Sequence, residues 1–292
     1  MSKALRLVLL LIVVGCAYLF LAHPYWFPAG VSASAGSIDH QFRIAFWIFG
    51  ALFIIGHLVL IFVLSKKPHA DGKVSNGSWR LELTWTLAIT VIFFWFNISG
   101  ERLWSRMIPA EKQAGEIEVE VTGAQFQWYF RYPGADGVFG RTDAQKFAKP
   151  EEGNPLGIDP SDPAGRDDIL ATAMILPVGH SVHLHLRAQD VIHSLFIPAM
   201  RFKQDTVPGM EIHSHFTPTQ IGNYEIACAE LCGMGHYRMR AVVRVLSEEE
   251  FEKWMKSAST ANARSENESK IHQGGTETRR SARIAKSGKF QN

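Results

Sequence analysis

Apolar positions keep two different rhythms along this chain. Up to about residue 104 they come as three nearly unbroken runs: LRLVLLLIVVGCAYLFLA (5–22), FRIAFWIFGALFIIGHLVLIFVL (42–64) and LTWTLAITVIFFWFNISG (83–100). A helix needs roughly 20 apolar residues to cross the hydrocarbon core of a bilayer. The second run meets that length and the third comes close, so the pattern predicts a membrane-spanning helical hairpin over 36–104. From Glu116 the rhythm becomes alternation. EIEVEVTGAQFQWYFRY, HSVHLHLRA, NYEIACA and MRAVVRVL are rich in β-branched and aromatic residues and are separated by Gly and Pro. Such short alternating segments predict an antiparallel all-β sandwich or barrel at about 115–246.

The segment joining the second and third runs, SKKPHADGKVSNGSWR, carries Lys66, Lys67, Lys73 and Arg80 against Asp71. The positive-inside rule makes it cytoplasmic, which puts everything after about Arg102 on the far side of the membrane. The first run (within 1–35) reads two ways. Lys3 and Arg6 precede an apolar stretch that reaches VVGC at Cys16, loosely like a lipoprotein signal cleaved and acylated on cysteine. It reads equally as a third spanning helix with a buried cysteine. Within the β region (105–256), residues 133–168 are crowded with turn formers and charge, and predict an excursion between strands. SEEEFEKWM predicts a short terminal helix capped by its serine. The tail, 257–292, is polar and basic, with the composition of disorder.

The 292 residues are 47% hydrophobic and carry a net charge of +2, which places the basic surplus in the tail and gives no reason to expect nucleic acid. Cys16, Cys228 and Cys232 are too few for a disulfide framework. A bridge between the last two would close a very short loop and constrain the unfolded chain little.

The two thiols belong to CAELCGMGHYRM, 228–239, between two predicted strands and loosened by Gly233 and Gly235. Such a loop can turn Cys228, Cys232, His236 and Met239 toward one point. Zinc would be satisfied by Cys and His alone, whereas a thioether beside thiolates and imidazole points to copper. One electron-transfer copper needs a single thiolate. Two thiolates can bridge two coppers, each needing its own imidazole and a weak ligand, so one more histidine is required. His193, in QDVIHSLFIPAMRFKQDTVPG, is the best candidate. His180, His183, His185, His213 and His215 mostly alternate along strands and read as surface or core residues, not ligands.

Asp-Val-Ile-His-Ser, then Lys203-x-Asp205-x-x-Pro208-Gly209, then CAELCGxGHxxM resembles subunit II of the haem–copper cytochrome c oxidases, and the likeness covers about 40–250. The resemblance implies a cupredoxin-like fold carrying a dinuclear copper centre, CuA, behind the hairpin. It makes Cys228 and Cys232 bridging thiolates, His193 and His236 terminal ligands, and Met239 a weak axial ligand. The Glu230 carbonyl would be the other weak ligand, and its carboxylate would hold magnesium at the boundary with subunit I. Such a subunit takes electrons from cytochrome c, or from a haem domain of a partner complex. It passes them to haem in subunit I, where oxygen is reduced with proton translocation; subunit III is a further expected partner. The implied location is a bacterial inner membrane with the copper domain outside.

The same resemblance singles out Glu82, in LEx-x-WT, as the mouth of a proton path. It also places Phe126 where a tryptophan commonly receives the electron, with Trp128 as the alternative route. Arg131 stands where an acidic residue is common, which predicts weakened steering of a basic cytochrome c unless Asp190, Glu151, Glu152 and other acids restore the patch. The nearest rival, a quinol oxidase subunit II, resembles the hairpin and fold but lacks the copper ligands. Nitrous oxide reductase lacks the hairpin, and a copper-delivery module needs neither Glu230 nor Met239.

Overall fold

The computed structural model describes residues 3–22, 28–65, 77–105, 115–147 and 153–259. They form two compact units. In the first, the three apolar runs are helices: α1 (Lys3–Ala22), α2 (Ala35–Ser65) and α3 (Trp79–Trp104). α2 and α3 are long and apolar enough to cross a membrane. Both extend beyond the apolar runs that predicted them, because polar residues at their ends continue the backbone hydrogen bonding. Phe49 stacks on Phe96 with ring centroids 5.7 Å apart, and Gln41 Nε2 donates to Ser99 Oγ at 3.4 Å, joining α2 to α3. Most of their remaining apolar side chains are exposed, as suits a lipid-facing surface. α1 runs unbroken through Cys16, which is exposed where one reading expected it buried. The lysines of the joining segment, 66–76, lie outside the described residues.

The second unit is a two-sheet sandwich of ten strands. They are β1 (Ile117–Ala124), β2 (Gln127–Tyr132), β3 (Ile169–Ala171), β4 (Met174–Pro177), β5 (Val182–Ala188), β6 (His193–Ile197), β7 (Phe202–Thr206), β8 (Ile212–Phe216), β9 (Gly222–Cys228) and β10 (Arg240–Leu246). One sheet runs β3-β2-β1-β5-β8 and the other β4-β10-β9-β6-β7. The expected antiparallel arrangement holds except for β1–β5 and β4–β10, which pair in parallel. Long connections permit this, since parallel neighbours need a crossover. EIEVEVTGAQFQWYFRY is a hairpin that turns at Gln125–Phe126, with Gly123 opposite Trp128.

Alternate residues of each strand face the interior. Val119, Val121, Phe130 and Leu184 of one sheet and Leu176, Leu195, Ile226 and Val243 of the other are fully buried. Tyr132 ties the sheets together: its hydroxyl donates to the Ile175 carbonyl at 3.0 Å and accepts from the Ile175 N–H at 2.6 Å. Burial pushes this phenol well above its ordinary pKa.

The excursion between β2 and β3 is built from turns, as expected, and Arg131 anchors it. Arg131 is 0% exposed. Its guanidinium pairs with Asp168, with Glu120 at 3.2 Å, and with the Gly140 carbonyl at 2.5 Å. The reading of Arg131 as a surface charge that disturbs donor steering is therefore wrong: it points away from the sandwich interior but is covered by the excursion. Glu151 and Glu152 lie outside the described residues. A terminal helix, α4 (248–259), follows β10. Ser247 and Glu250 cap it reciprocally, the Glu250 N–H reaching Ser247 Oγ at 3.3 Å and the Ser247 N–H reaching the Glu250 carboxylate at 3.1 Å. The helix outlasts Lys256, where the polar tail was expected to begin; 260–292 lie outside the described residues.

Candidate metal centre

β9 ends at Cys228 and β10 begins at Arg240, so the intervening loop crosses one end of the second sheet. The Cys228 N–H donates to the Met239 carbonyl at 3.1 Å and closes the loop's base. β6 runs beside β9 with Leu195 opposite Cys228, and the Ala229 N–H continues the pairing to the Ser194 carbonyl. That register brings His193, 35 positions upstream, to the thiols.

Cys228 Sγ and Cys232 Sγ are 3.9 Å apart. His193 Nδ1 lies 4.0 Å from Cys228 Sγ, and His236 Nδ1 lies 3.6 Å from Cys232 Sγ. Met239 Sδ is 3.8 Å from Cys232 Sγ, and the Glu230 carbonyl oxygen is 3.2 Å from Cys228 Sγ. Each sulfur thus has one imidazole and one weaker donor beside it. His193, Cys228 and Cys232 form a group able to hold a metal ion, their ligand atoms all lying within 4.8 Å of one another. All of the proposed loop ligands converge; the Glu230 residue itself is exposed, with its carbonyl turned inward.

Surrounding groups fix these ligands. His193 Nε2 donates to Asp190 Oδ1 at 2.8 Å, which leaves Nδ1 facing the sulfurs. Asp190 Oδ2 accepts from the Gln125 N–H at 2.7 Å, and Gln125 Nε2 donates to the Cys232 carbonyl at 2.6 Å. Burial opposes ionisation of Asp190, yet the bonds from His193, Gln125 and Val191 outweigh it and hold the carboxyl below its ordinary range. Burial first, and the Cys228 thiol beside it, push the Cys232 thiol up to about 11. A cation that binds the Cys232 sulfur must displace its proton. Copper fits this donor set: paired sulfurs, imidazoles and a buried thioether suit a soft ion, and Met239 is fully buried among them.

Small residues admit the bulky ones. A Cβ on Gly123 would lie 2.9 Å from the His193 ring, and one on Gly235 would lie 2.4 Å from Phe126. Gly233 has φ +130°, a conformation that favours glycine. Phe126 consequently lies flat over the loop, half-buried, with the Arg238 guanidinium 5.8 Å above its ring. Leu231, Met234 and Tyr237 of the same loop are exposed, Met234 to 93%. Trp128 is buried beneath, edge-on to His193 at 6.0 Å. Glu82 is elsewhere, exposed in the first turn of α3, where its negative charge suits the helix N-terminus. Sequence reasoning missed the positioning roles of Gln125, Gly123 and Asp190, because only the β1–β2 turn and the β6 register bring them to the ligands. It also separated histidines that strand pairing gathers on the other sheet.

Together, a pair of helices long and apolar enough to span a membrane and a β-sandwich with a sulfur- and imidazole-rich loop at one end are the features of a membrane-anchored protein with a candidate metal centre. The family model for the cytochrome c oxidase subunit II periplasmic domain matches residues 117–246. The chain is 34% identical over 262 residues to the alternative cytochrome c oxidase subunit 2 of Bradyrhizobium diazoefficiens, covering 88% of this chain and 92% of that protein. It is 29% identical over 250 residues to cytochrome c oxidase subunit 2 of Cereibacter sphaeroides, covering 78% and 80%. A solved periplasmic domain of subunit II (CoxB) of Bradyrhizobium japonicum is similar at 24% identity and a TM-score of 0.38, covering 51% of this chain and 97% of that one. The chain belongs to the cytochrome c oxidase subunit II family.

Proposed function

We propose that this chain receives electrons for a respiratory terminal oxidase at a dinuclear copper centre. Cys228 and Cys232 would bridge the metals, His193 and His236 would terminate them, and Met239 and the Glu230 carbonyl would be the weak ligands. The observation that carries this reading is the geometry of the thiols, spaced 3.9 Å apart with an imidazole beside each. When bound, the metal pair supplies a one-electron carrier whose charge is shared between two ions. The protein's part is to keep that site rigid and dry: the β6 and β9 strands fix His193 and Cys228, and Asp190 sets the His193 ring.

Electrons would enter through the apolar patch of Phe126, Leu231, Met234 and Tyr237 and leave for haem in subunit I, where oxygen is reduced with proton translocation. Phe126, on the surface above the loop, suits the receiving role better than buried Trp128. The donor is cytochrome c or a haem domain of a partner complex. Arg131 no longer bears on that choice, but Arg238 does: its exposed guanidinium beside Phe126 disfavours a strongly basic partner. The exposed Glu230 carboxylate would take magnesium at the boundary with subunit I, and Glu82 would open a proton path there. We place the helical hairpin in a bacterial inner membrane and the sandwich on its outer side, with subunit III alongside. The N-terminal mass of the purified subunit separates an acylated Cys16 from a third span.

Metal analysis of the purified chain is the test. Two coppers per chain and a mixed-valence paramagnetic signal are expected, with Cys232→Ser abolishing the signal and Met239→Leu retaining copper at a shifted reduction potential. One zinc and no copper would overturn the reading.

A further inference from the structure

The outward face of the first sheet gathers histidines and carboxylates that the copper reading does not use. β5 and β8 pair with His183 opposite His215 and His185 opposite His213. On the other side of β5, β1 sets Glu118 opposite His183 and Glu120 opposite His185. Because every second residue shares a face, four imidazoles fall beside a row of glutamates.

The ring atoms converge. His183 Nε2 is 3.0 Å from His213 Nδ1, while His183 Nδ1 faces Glu118 Oε2 at 3.2 Å. His185 sits between Glu118 and Glu211, with Nδ1 2.7 Å from Glu211 Oε1. One ligand nitrogen from each of His183, His185 and His213 lies within 4.8 Å of the others. Two nitrogens bound to one zinc at about 2.0–2.1 Å stand about 3.3 Å apart at the tetrahedral angle, so small ring rotations suffice to close on an ion. His215 stacks on His183 at 4.4 Å and 4°, and its Nδ1 lies 2.9 Å from Glu116, which buttresses the ring from behind.

The charge balance favours a cation. Glu116, Glu118, Glu120, Glu211 and Asp168 share this face with Arg131 and Arg187. Arg131 is taken by Asp168 and Glu120, and Arg187 by Glu120 and Glu211. Glu118 on His183 Nδ1 leaves the His183 Nε2 turned toward His213, and a carboxylate on the far nitrogen is the usual support for a metal-bound imidazole. Glu211, which meets His185, also lines a cavity of about 460 Å³ together with Glu120.

We propose that His183, His185 and His213 form a second metal site, positioned by Glu118, that takes a borderline divalent cation of the zinc type. No sulfur lies in this donor set, so a soft monovalent copper is disfavoured here, and the two sites sort metals by chemistry. His185 would exchange one carboxylate partner for the ion, and the fourth position would face the half-exposed side of the cluster.

The test is titration of the full-length, copper-loaded chain in detergent with Co²⁺, read optically and competed with Zn²⁺. One equivalent should bind with weak visible bands and without the intense near-ultraviolet absorption of a thiolate–cobalt bond. His213→Gln, at a half-exposed position that tolerates replacement, should abolish this uptake, and Glu118→Gln should weaken it about 10–100-fold. The copper absorption should be the same in all three proteins, and Cys228→Ser/Cys232→Ser should still take up the ion even though its copper is lost. Absence of saturable Co²⁺ uptake would overturn the site, as would uptake that survives His213→Gln.

Discussion

His193 faces two ways: Nδ1 stands 4.0 Å from Cys228 Sγ, and Nε2 donates to Asp190 Oδ1 at 2.8 Å. The carboxylate thereby leaves Nδ1 as the nitrogen that would meet a metal. Replacing it should release the ring without removing a ligand. Asp190→Ala is expected to lower copper affinity about 10–100-fold, measured as copper retained against a graded chelator, with the circular dichroism of the sandwich unchanged.

Arg131 holds two buried carboxylates and the Gly140 carbonyl. Removing the guanidinium takes the paired cation from Asp168 and leaves Glu120 with Arg187 alone. Arg131→Ala should destabilise the β unit by about 3–5 kcal/mol, seen as a lower midpoint in chemical unfolding. Because the side chain is not on the donor's face, the electron-transfer rate of the folded fraction should be unaffected.

Phe126 covers the ligand loop and Arg238 covers Phe126. Phe126→Ala should slow electron arrival about tenfold, the effect of an interface aromatic worth about 1.4 kcal/mol, while the copper spectrum stays the same. Oxidation of a strongly basic cytochrome c should be slow and only weakly salt-dependent. Arg238→Glu should make it faster and more steeply salt-sensitive, which stopped-flow rates across ionic strength would register.

The excursion carries its own acid sensitivity. The Lys146 and Ser161 hydrogen bonds hold Asp159 below the ordinary carboxylate range, and those from the Arg141 and Ala164 amides hold Asp162 below it. Depressed folded-state values mean that the stabilisation is present above the unfolded pKa of about 3.9 and is lost as pH falls through the folded values. Exchange protection of the Asp143 and Asp159 amides, which bond to Gly157 and Arg141, should therefore be full at pH 6 and decline below about pH 4. Protection that is flat across that range would deny the carboxylates this role.

Hydrophobic rhythm by itself indicated the two-part plan: long apolar runs become helices that satisfy their own backbone in lipid, and alternating segments become strands of a sandwich or barrel, a choice that the packing of two separate sheets decided. Chain spacing pointed to Cys228, Cys232, His236 and Met239 as candidate loop ligands, because they lie so close in the chain that nearly any turn brings them together. His193 was reachable only through the resemblance and the chemical need for a second imidazole, and the β6–β9 register is what delivers it. Three matters were decided by tertiary structure alone. Arg131 reads as a surface charge until the excursion folds over it, since burial depends on a segment that adds no local signal. Gln125 reaches the centre through the β1–β2 turn and Asp190 through the β5–β6 connection, neither of whose positions alternation marks. His183, His185 and His213 look like ordinary strand residues in sequence, because their convergence requires β5 to lie between β1 and β8, and pairing between distant strands leaves no trace in either strand's own pattern.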